Sequence, residues 1–224
     1  MTVPKLIYLH GFNSSPQSDK AQELMARVAA LPAPIRPVLH VPELPHRPAQ
    51  AIALVRRLID QMGAGHLTLI GSSLGGYYAT YLAERYAAAN VRAVLINPTT
   101  GPAEDLRPYF GPQQNLYTGE PYELTEDHLR EFLALKVERL TRPERYYLLV
   151  QTGDELLDYR LVVVHYAGAF QLVLGGGDHA FENFGHHIDS ILQFAGIPLA
   201  PAMEPENSHA DQQTCGSAAG FAQP

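Results

Sequence analysis

The sequence predicts an α/β fold, with a mostly parallel sheet of about six strands flanked by helices. Two observations carry that expectation. Short apolar, β-branched runs alternate with helical stretches across residues 5–197, and one such run ends in Gly71-Ser72-Ser73-Leu74-Gly75-Gly76 before a new helical stretch begins. Right-handed crossovers between parallel strands place helices on both faces of a sheet. The loops at the carboxyl ends of the strands then carry the chemistry.

Lys5-Leu6-Ile7-Tyr8-Leu9 is the first strand, and it runs into a small, polar loop, His10-Gly11-Phe12-Asn13-Ser14-Ser15-Pro16. Ser15 or Ser18 suits the N-cap of the helix that follows. That helix, Asp19 to Leu31, spaces Ala21, Leu24, Met25, Val28 and Leu31 along one face, and Pro32, Pro34 and Pro37 stop it. Val38-Leu39-His40-Val41 reads as a short second strand. Ala51, Leu54, Val55, Leu58, Ile59 and Met62 make an amphipathic helix closed by Gly63 and Gly65. Leu67-Thr68-Leu69-Ile70 is the third strand and Tyr77 to Tyr86 the helix after it. Val91 to Ile96 is the fourth strand, halted by Asn97-Pro98.

The next strand, Tyr146 to Gln151, lies about 45 residues further on, more than one crossover helix needs. Residues 98–145 therefore hold a small cap-like insertion: an irregular Pro, Gly and Tyr-rich piece from Thr99 to Leu124, then a helix from Glu126 to Leu140. A turn over Asp154 to Asp158, a helix from Tyr159 to Ala167, a sixth strand, Phe170 to Leu174, and a last helix from Phe181 to Phe194 complete a domain over residues 1–197. From Pro198 to Pro224 the chain turns to Ala, Pro, Gln and polar residues without periodicity, which predicts a disordered tail.

Composition narrows the function classes. The chain has 224 residues, 46% of them hydrophobic and 17% charged, as a globular domain requires. A formal charge of −7 and the lack of a dense Lys/Arg stripe argue against a nucleic-acid partner. No apolar run approaches the roughly 18–20 residues of a membrane span. The N-terminal residues Met1 to Lys5 lead straight into a strand, so the expected location is cytoplasmic. Cys215 is the single cysteine and falls in the tail, which excludes an internal disulfide and a Cys-rich metal site. No metal and no cofactor are expected.

Strand, Gly-x-Ser-x-Gly, helix is the setting of a nucleophile elbow, where a tight turn lifts one serine above a sheet edge. Gly71 and Gly75 suit it because strand and helix backbones pass too closely there for a Cβ. Ser73 is then the nucleophile and Ser72 its neighbour. The motif arises by chance in roughly one chain in twenty of this Gly and Ser content, so its context has to decide. A serine needs a base within hydrogen-bond reach and an acid to orient that base. In α/β-hydrolases the chain order is Ser, then Asp or Glu, then His. Asp154 follows the fifth strand and His179 the sixth, and three placements in the required order are far less accidental than the elbow alone.

The remaining candidates fit bland roles better. Glu155 and Asp158 suit capping of the next helix. His186 and His187, adjacent on a helix, cannot both face one site. His40, His46, His66, His128 and His165 have no comparable context. An oxyanion hole would use the backbone N–H groups of Leu74 and Phe12, with Gly11 allowing close approach and His10 shaping the loop. Tyr77, Tyr109, Phe110 and Tyr117 could together line an apolar acyl pocket, although core packing is the commoner fate of any one of them. Arg56, Arg57, Arg139, Arg142 and Arg145 read as solvated helix faces.

His10 to Pro16, Gly71 to Gly76, Asn97-Pro98, Asn115 to Glu120, Gln151 to Tyr159 and Gly176 to Phe181 together resemble the bacterial YqiA-like esterases, small α/β-hydrolases without a large lid. The resemblance spans roughly residues 5–197, and Thr99-Thr100-Gly101 departs from the more basic or apolar segment expected after Asn-Pro. It implies an esterase or acyl-thioesterase acting on a small acyl-ester or acyl-thioester substrate, with Ser73, Asp154 and His179 as its triad. Two other outcomes are open: the same triad acting on an amide or C–C bond, or a catalytically silent hydrolase fold serving as a binding or regulatory protein.

Overall fold

Residues 3–199 are described by a computed structural model. In chain order the strands are β1 (Lys5–Leu9), β2 (Val38–His40), β3 (Leu67–Ser72), β4 (Arg92–Ile96), β5 (Gly111–Gln114), β6 (Pro121–Leu124), β7 (Tyr146–Gln151) and β8 (Phe170–Leu174). The helices are α1 (Asp19–Ala29), α2 (Pro48–Met62), α3 (Leu74–Arg85), α4 (Pro102–Asp105), α5 (Glu126–Ala134), α6 (Tyr159–His165) and α7 (Ile188–Phe194). Six strands form one sheet in the order β2-β1-β3-β4-β7-β8, every pair parallel. This is the predicted α/β-hydrolase fold. The expected tail falls outside the described residues from residue 200 onward, as does Cys215.

Strand periodicity splits the core into two halves. Ile7, Leu9, Leu69, Ala93, Leu95, Leu148 and Val150 face α2, α3, α5 and α6, while Leu6, Tyr8, Ile70, Val94, Ile96 and Leu149 face α1 and α7. Central strands buried on both faces read as continuous apolar runs, which is why their sequence is so plainly legible. In register, Leu9, Gly71, Leu95 and Leu148 form one row across four strands. Gly71 is the gap in that row, and α3 sinks into it. A Cβ on Gly71 would lie 2.2 Å from the Gly75 carbonyl oxygen, one on Gly75 would lie 2.0 Å from that of Leu9, and one on Gly76 2.6 Å from the Pro98 Cβ.

Three local expectations need correction. The piece expected to be irregular holds α4 and the antiparallel β5–β6 hairpin. The helix expected to reach Leu140 ends at Ala134, where the Leu135 N–H turns back to the Phe132 carbonyl, and Leu140 enters the core from irregular chain. The last helix starts at Ile188 rather than Phe181, because Phe181 and Asn183 adopt left-handed φ values of 65° and 59°. His186 and His187 consequently sit in a short 3-10 turn. Ser18 occupies the N-cap of α1, yet its hydroxyl makes no cap bond; the Ser15 hydroxyl accepts the Gln17 N–H at 2.9 Å instead. Among the described residues no helix is long and apolar enough to cross a membrane.

The cap hairpin is tied down by neutral histidines. The Thr125 N–H donates to His128 Nδ1, so the ring proton lies on His128 Nε2 and is donated to His46 Nδ1 at 3.0 Å. His46 stacks on Tyr122 of β6, and the Tyr122 hydroxyl donates to Asn13 Oδ1 at 2.6 Å. Burial holds both histidines below their ordinary value of 6.5, with Arg47 adding to the depression and Glu131 opposing it. Protonating His128 at Nδ1 would cost it the Thr125 bond.

Two outcomes follow from this packing. Gly75→Ala should yield no folded protein by circular dichroism, since backbone carbonyls of β1 cannot yield and the cost exceeds about 4 kcal/mol. Because the folded pKa values of His46 and His128 lie below the unfolded one, the unfolded chain binds more protons as pH falls through 6.5. The melting temperature should therefore drop between pH 7.5 and 5.5. His128→Gln should flatten that drop without abolishing it, since His10, His165 and His187 are depressed in the same sense.

Candidate active site

The tight passage of α3 over the sheet forces the residue between β3 and α3 into an unusual shape. Ser73 has φ 53° and ψ −119°, a conformation costing of order 1–3 kcal/mol for a residue with a Cβ. Four flanking bonds hold it there: its N–H donates to the Ile96 carbonyl at 3.0 Å, and its carbonyl accepts from Gly76 at 2.9 Å and Thr99 at 3.3 Å, while Asn97 anchors the next turn on the Leu149 carbonyl at 2.9 Å.

Asp154 and His179 come to Ser73 on two loops that touch backbone to backbone. A Cβ on Gly153 would stand 2.3 Å from the Gly177 carbonyl oxygen, and the Gly153 N–H donates to the Gly176 carbonyl at 2.9 Å. The Asp154 side chain is 2% exposed and lies 2.9 Å (Oδ2) and 3.0 Å (Oδ1) from His179 Nδ1. Its Oδ1 also accepts the N–H groups of Leu156 and Leu157 at 3.0 and 2.9 Å. His179 Nε2 lies 3.0 Å from Ser73 Oγ. With Nδ1–H directed at the carboxylate, Nε2 is free to accept from the serine hydroxyl.

The loop after β1 closes over the same point. A Cβ on Gly11 would lie 3.3 Å from the Ser73 Cβ and 3.8 Å from its Oγ. Buried His10 fixes that loop: its Nε2 accepts the Leu44 N–H and its Nδ1 donates to the Gly11 carbonyl, both at 3.0 Å. Burial lowers its pKa, so the ring stays neutral. Phe12 and Leu74 both line a cleft of about 730 Å³ that opens on Ser73 and His179.

Of the four aromatic residues named as pocket candidates, Tyr109 and Tyr117 line this cleft. Tyr77 does not: it is buried against Phe132, and its hydroxyl donates to the Phe132 carbonyl at 2.8 Å. Phe110 lies outside the lining and is 36% exposed. Leu106, Leu116, Leu156 and Leu157 also line the cleft and are not among the named pocket candidates. Thr99 lines it too, with its hydroxyl bonded to Asp105, whose carboxyl is pushed up by burial. Among the described residues no cluster of three or more His, Cys, Asp or Glu could hold a metal.

Sequence reading missed the residues that suspend the His179 loop. Asn97, 2% exposed at φ 39°, donates through Nδ2 to the carbonyls of Asp178 (2.9 Å) and His179 (3.3 Å) and accepts the Gln151 N–H at 3.0 Å. Gln151 Oε1 accepts the N–H groups of Asp178 and Glu182, and its Nε2 donates to the Glu182 carbonyl. Asp158 does cap α6, accepting the Arg160 N–H, but Glu155 does not: its Oε2 accepts the backbone N–H of His179 at 2.9 Å.

The sequence matches an uncharacterised protein family (UPF0227) over residues 5–196. Similar solved structures include mouse alpha/beta hydrolase domain-containing protein 10, at 16% identity over 87% of this chain and 90% of the other, with a TM-score of 0.65. Est1E from Butyrivibrio proteoclasticus matches at 14% identity over 87% and 86%, with a TM-score of 0.65. The esterase domain of a Rhodothermus marinus protein matches at 18% identity over 87% and 88%, with a TM-score of 0.61. At such identities the shared property is the fold.

Asn97→Asp turns the Nδ2 donor into an oxygen facing two carbonyls. The expected loss is about 2–3 kcal/mol. Calorimetry should then show the melting temperature falling by roughly 4–12 °C.

Proposed function

The chain belongs to the UPF0227 family, the YqiA-like proteins, and from that premise we propose that it is a serine hydrolase of carboxylic esters. The observation that carries this reading is the unbroken relay from Asp154 through His179 to Ser73, with links of 2.9 to 3.0 Å, at the mouth of a cleft with an apolar wall. As Ser73 Oγ attacks an acyl carbonyl, His179 Nε2 takes its proton, and Asp154 stabilises the imidazolium. The oxyanion rests on the N–H groups of Leu74 and Phe12. His179 then gives the proton to the leaving alcohol oxygen, an acyl-enzyme remains, and water deprotonated by His179 releases the acid.

Structural likeness to an esterase domain is compatible with this reading, and an acyl thioester carbonyl would meet the same groups. Arg145, expected from the sequence on a solvated helix face, is instead 2% exposed and bonded to the Ala83 and Val91 carbonyls and to Glu84, so it is not available to an anionic substrate. None of Arg56, Arg57, Arg139 or Arg142 lines the cleft.

The test is covalent labelling with a fluorophosphonate probe, paired with turnover of a short-chain ester. Wild type should label and Ser73→Ala should not. Asp154→Asn should lose about a thousandfold or more in kcat, since the ring would settle in the wrong tautomer. Equal labelling of wild type and Ser73→Ala would refute the assignment. A folded wild type that neither labels nor turns over any ester, amide or thioester would mark a binding protein on a hydrolase fold.

A further inference from the structure

Residues 12–14 follow β1 without joining a helix or a strand, and the β5–β6 ribbon holds them instead. The Leu116 N–H donates to the Asn13 carbonyl at 3.0 Å, and Asn115 Nδ2 donates to the Ser14 carbonyl at 2.9 Å. Asn13 Nδ2 donates to Gln113 Oε1 at 3.1 Å, and Asn13 Oδ1 accepts the Tyr122 hydroxyl at 2.6 Å. The amides fit only one way round. Gln113 Nε2 is committed to the Tyr109 carbonyl at 2.6 Å, so its Oε1 faces Asn13 Nδ2 and Asn13 Oδ1 is left for the hydroxyl. Burial raises the Tyr122 pKa, so that hydroxyl keeps its proton.

Core packing does not account for the ribbon. Of residues 111–124, Leu124 alone is buried, and Leu116 is 80% exposed. The half-buried side chains are Gln113, Asn115 and Tyr122, and all three bond Asn13 or Ser14. Tyr122 is fixed in turn by stacking on His46, with ring centroids 4.4 Å apart. Upstream the same loop is anchored by His10, bonded to the Leu44 N–H. Phe12 stands between the two anchors, its ring 6.1 Å from that of Tyr109 and 6.5 Å from that of Tyr122. Its N–H donates to no backbone carbonyl among the described residues.

An oxyanion donor works by being aimed before charge develops, within about 3 Å of the oxygen that will carry it. A donor on a helix or strand is aimed by its hydrogen-bond ladder, whereas one in a loop is aimed by the residues on either side. Resting on the ester-hydrolase reading, we propose that Asn13 and Tyr122 are positioning residues of the oxyanion hole, which hold the Phe12 N–H on the substrate oxygen as Ser73 attacks. Asn13 suits its place because its φ of 52° is one that asparagine adopts more readily than most residues. The Tyr122 hydroxyl fixes its side chain and the Leu116 N–H fixes its carbonyl. The turn that follows Phe12 is thereby held at two points.

The test exchanges the carbonyl oxygen of the substrate. Ethyl butyrate and O-ethyl thionobutyrate, with sulfur in place of that oxygen, meet the same triad, but sulfur is a weak acceptor and gains little from the hole. The ratio of their kcat/KM values therefore reads the hole, and any loss of folded enzyme cancels from it. Tyr122→Phe keeps the stacked ring and removes only the hydroxyl. Its kcat on ethyl butyrate should fall by about tenfold with KM within about twofold, less than the roughly hundredfold or more that follows loss of a donor itself. The oxygen-to-sulfur ratio should fall with it. Asn13→Gly, which admits the same φ, should lower the ratio too, and adding Tyr122→Phe to it should change the ratio by less than about twofold. An unchanged ratio in Tyr122→Phe would overturn the proposal even if kcat fell, since bonds that merely moor the ribbon cannot tell oxygen from sulfur. An undiminished effect of Tyr122→Phe in the Asn13→Gly background would overturn the route through Asn13. Turnover of ethyl butyrate by wild type against a Ser73→Ala blank reports separately on the hydrolase reading. Without that turnover both readings fall, and with it an unchanged ratio removes the positioning assignment alone.

Discussion

Everything at the centre of this protein depends on one close approach, the backbone of α3 lying on the backbones of β1 and β3. Gly71 empties one position in the row Leu9, Gly71, Leu95, Leu148, and Gly75 brings the helix to within a Cβ of the Leu9 carbonyl. That approach compels Ser73 into its left-handed turn and lifts its hydroxyl clear of the sheet. It also sets the distance from Ser73 to the β1 loop, where a Cβ on Gly11 would crowd the Ser73 Cβ at 3.3 Å. A serine held by strain has few alternative positions, so the groups around it can be placed once and kept.

Much of this was legible in the sequence because the signals are local. Gly71, Gly75 and Ser73 sit within five residues, and buried parallel strands announce themselves as apolar runs. Asp154 and His179 follow strand ends marked by glycines, and the structure brings both to Ser73. Less legible were residues whose partners are distant in sequence. Asn97 read as a strand stop and Gln151 as the last residue of a strand, yet their amides reach 81 and 31 residues along the chain to hold the His179 loop. Nothing local separates Tyr77 from Tyr109. One points into the core and the other into the cleft because they stand on different elements. The hairpin was hidden by Gly111 and Pro112, which argue against a strand. A two-stranded ribbon tolerates them because each of its strands has a free edge.

The way the His179 loop is suspended separates position from charge. Its carbonyls and N–H groups are met by two neutral amides, Asn97 and Gln151, and by one carboxylate, Glu155, that bonds only the backbone N–H. The carboxylate bonded to the ring itself is Asp154, nearly closed to solvent and tempered by the N–H groups of Leu156 and Leu157. Neutral amides can fix geometry without adding a field at the ring. A second buried carboxylate there would over-stabilise the imidazolium and hold a proton that catalysis must release. Asp105, the carboxylate beside Leu106 in the cleft lining, is instead engaged by the Thr99 hydroxyl. The carboxylates near this site thus have separate partners: Asp154 bonds the ring, Glu155 bonds its backbone, and Asp105 bonds the Thr99 hydroxyl.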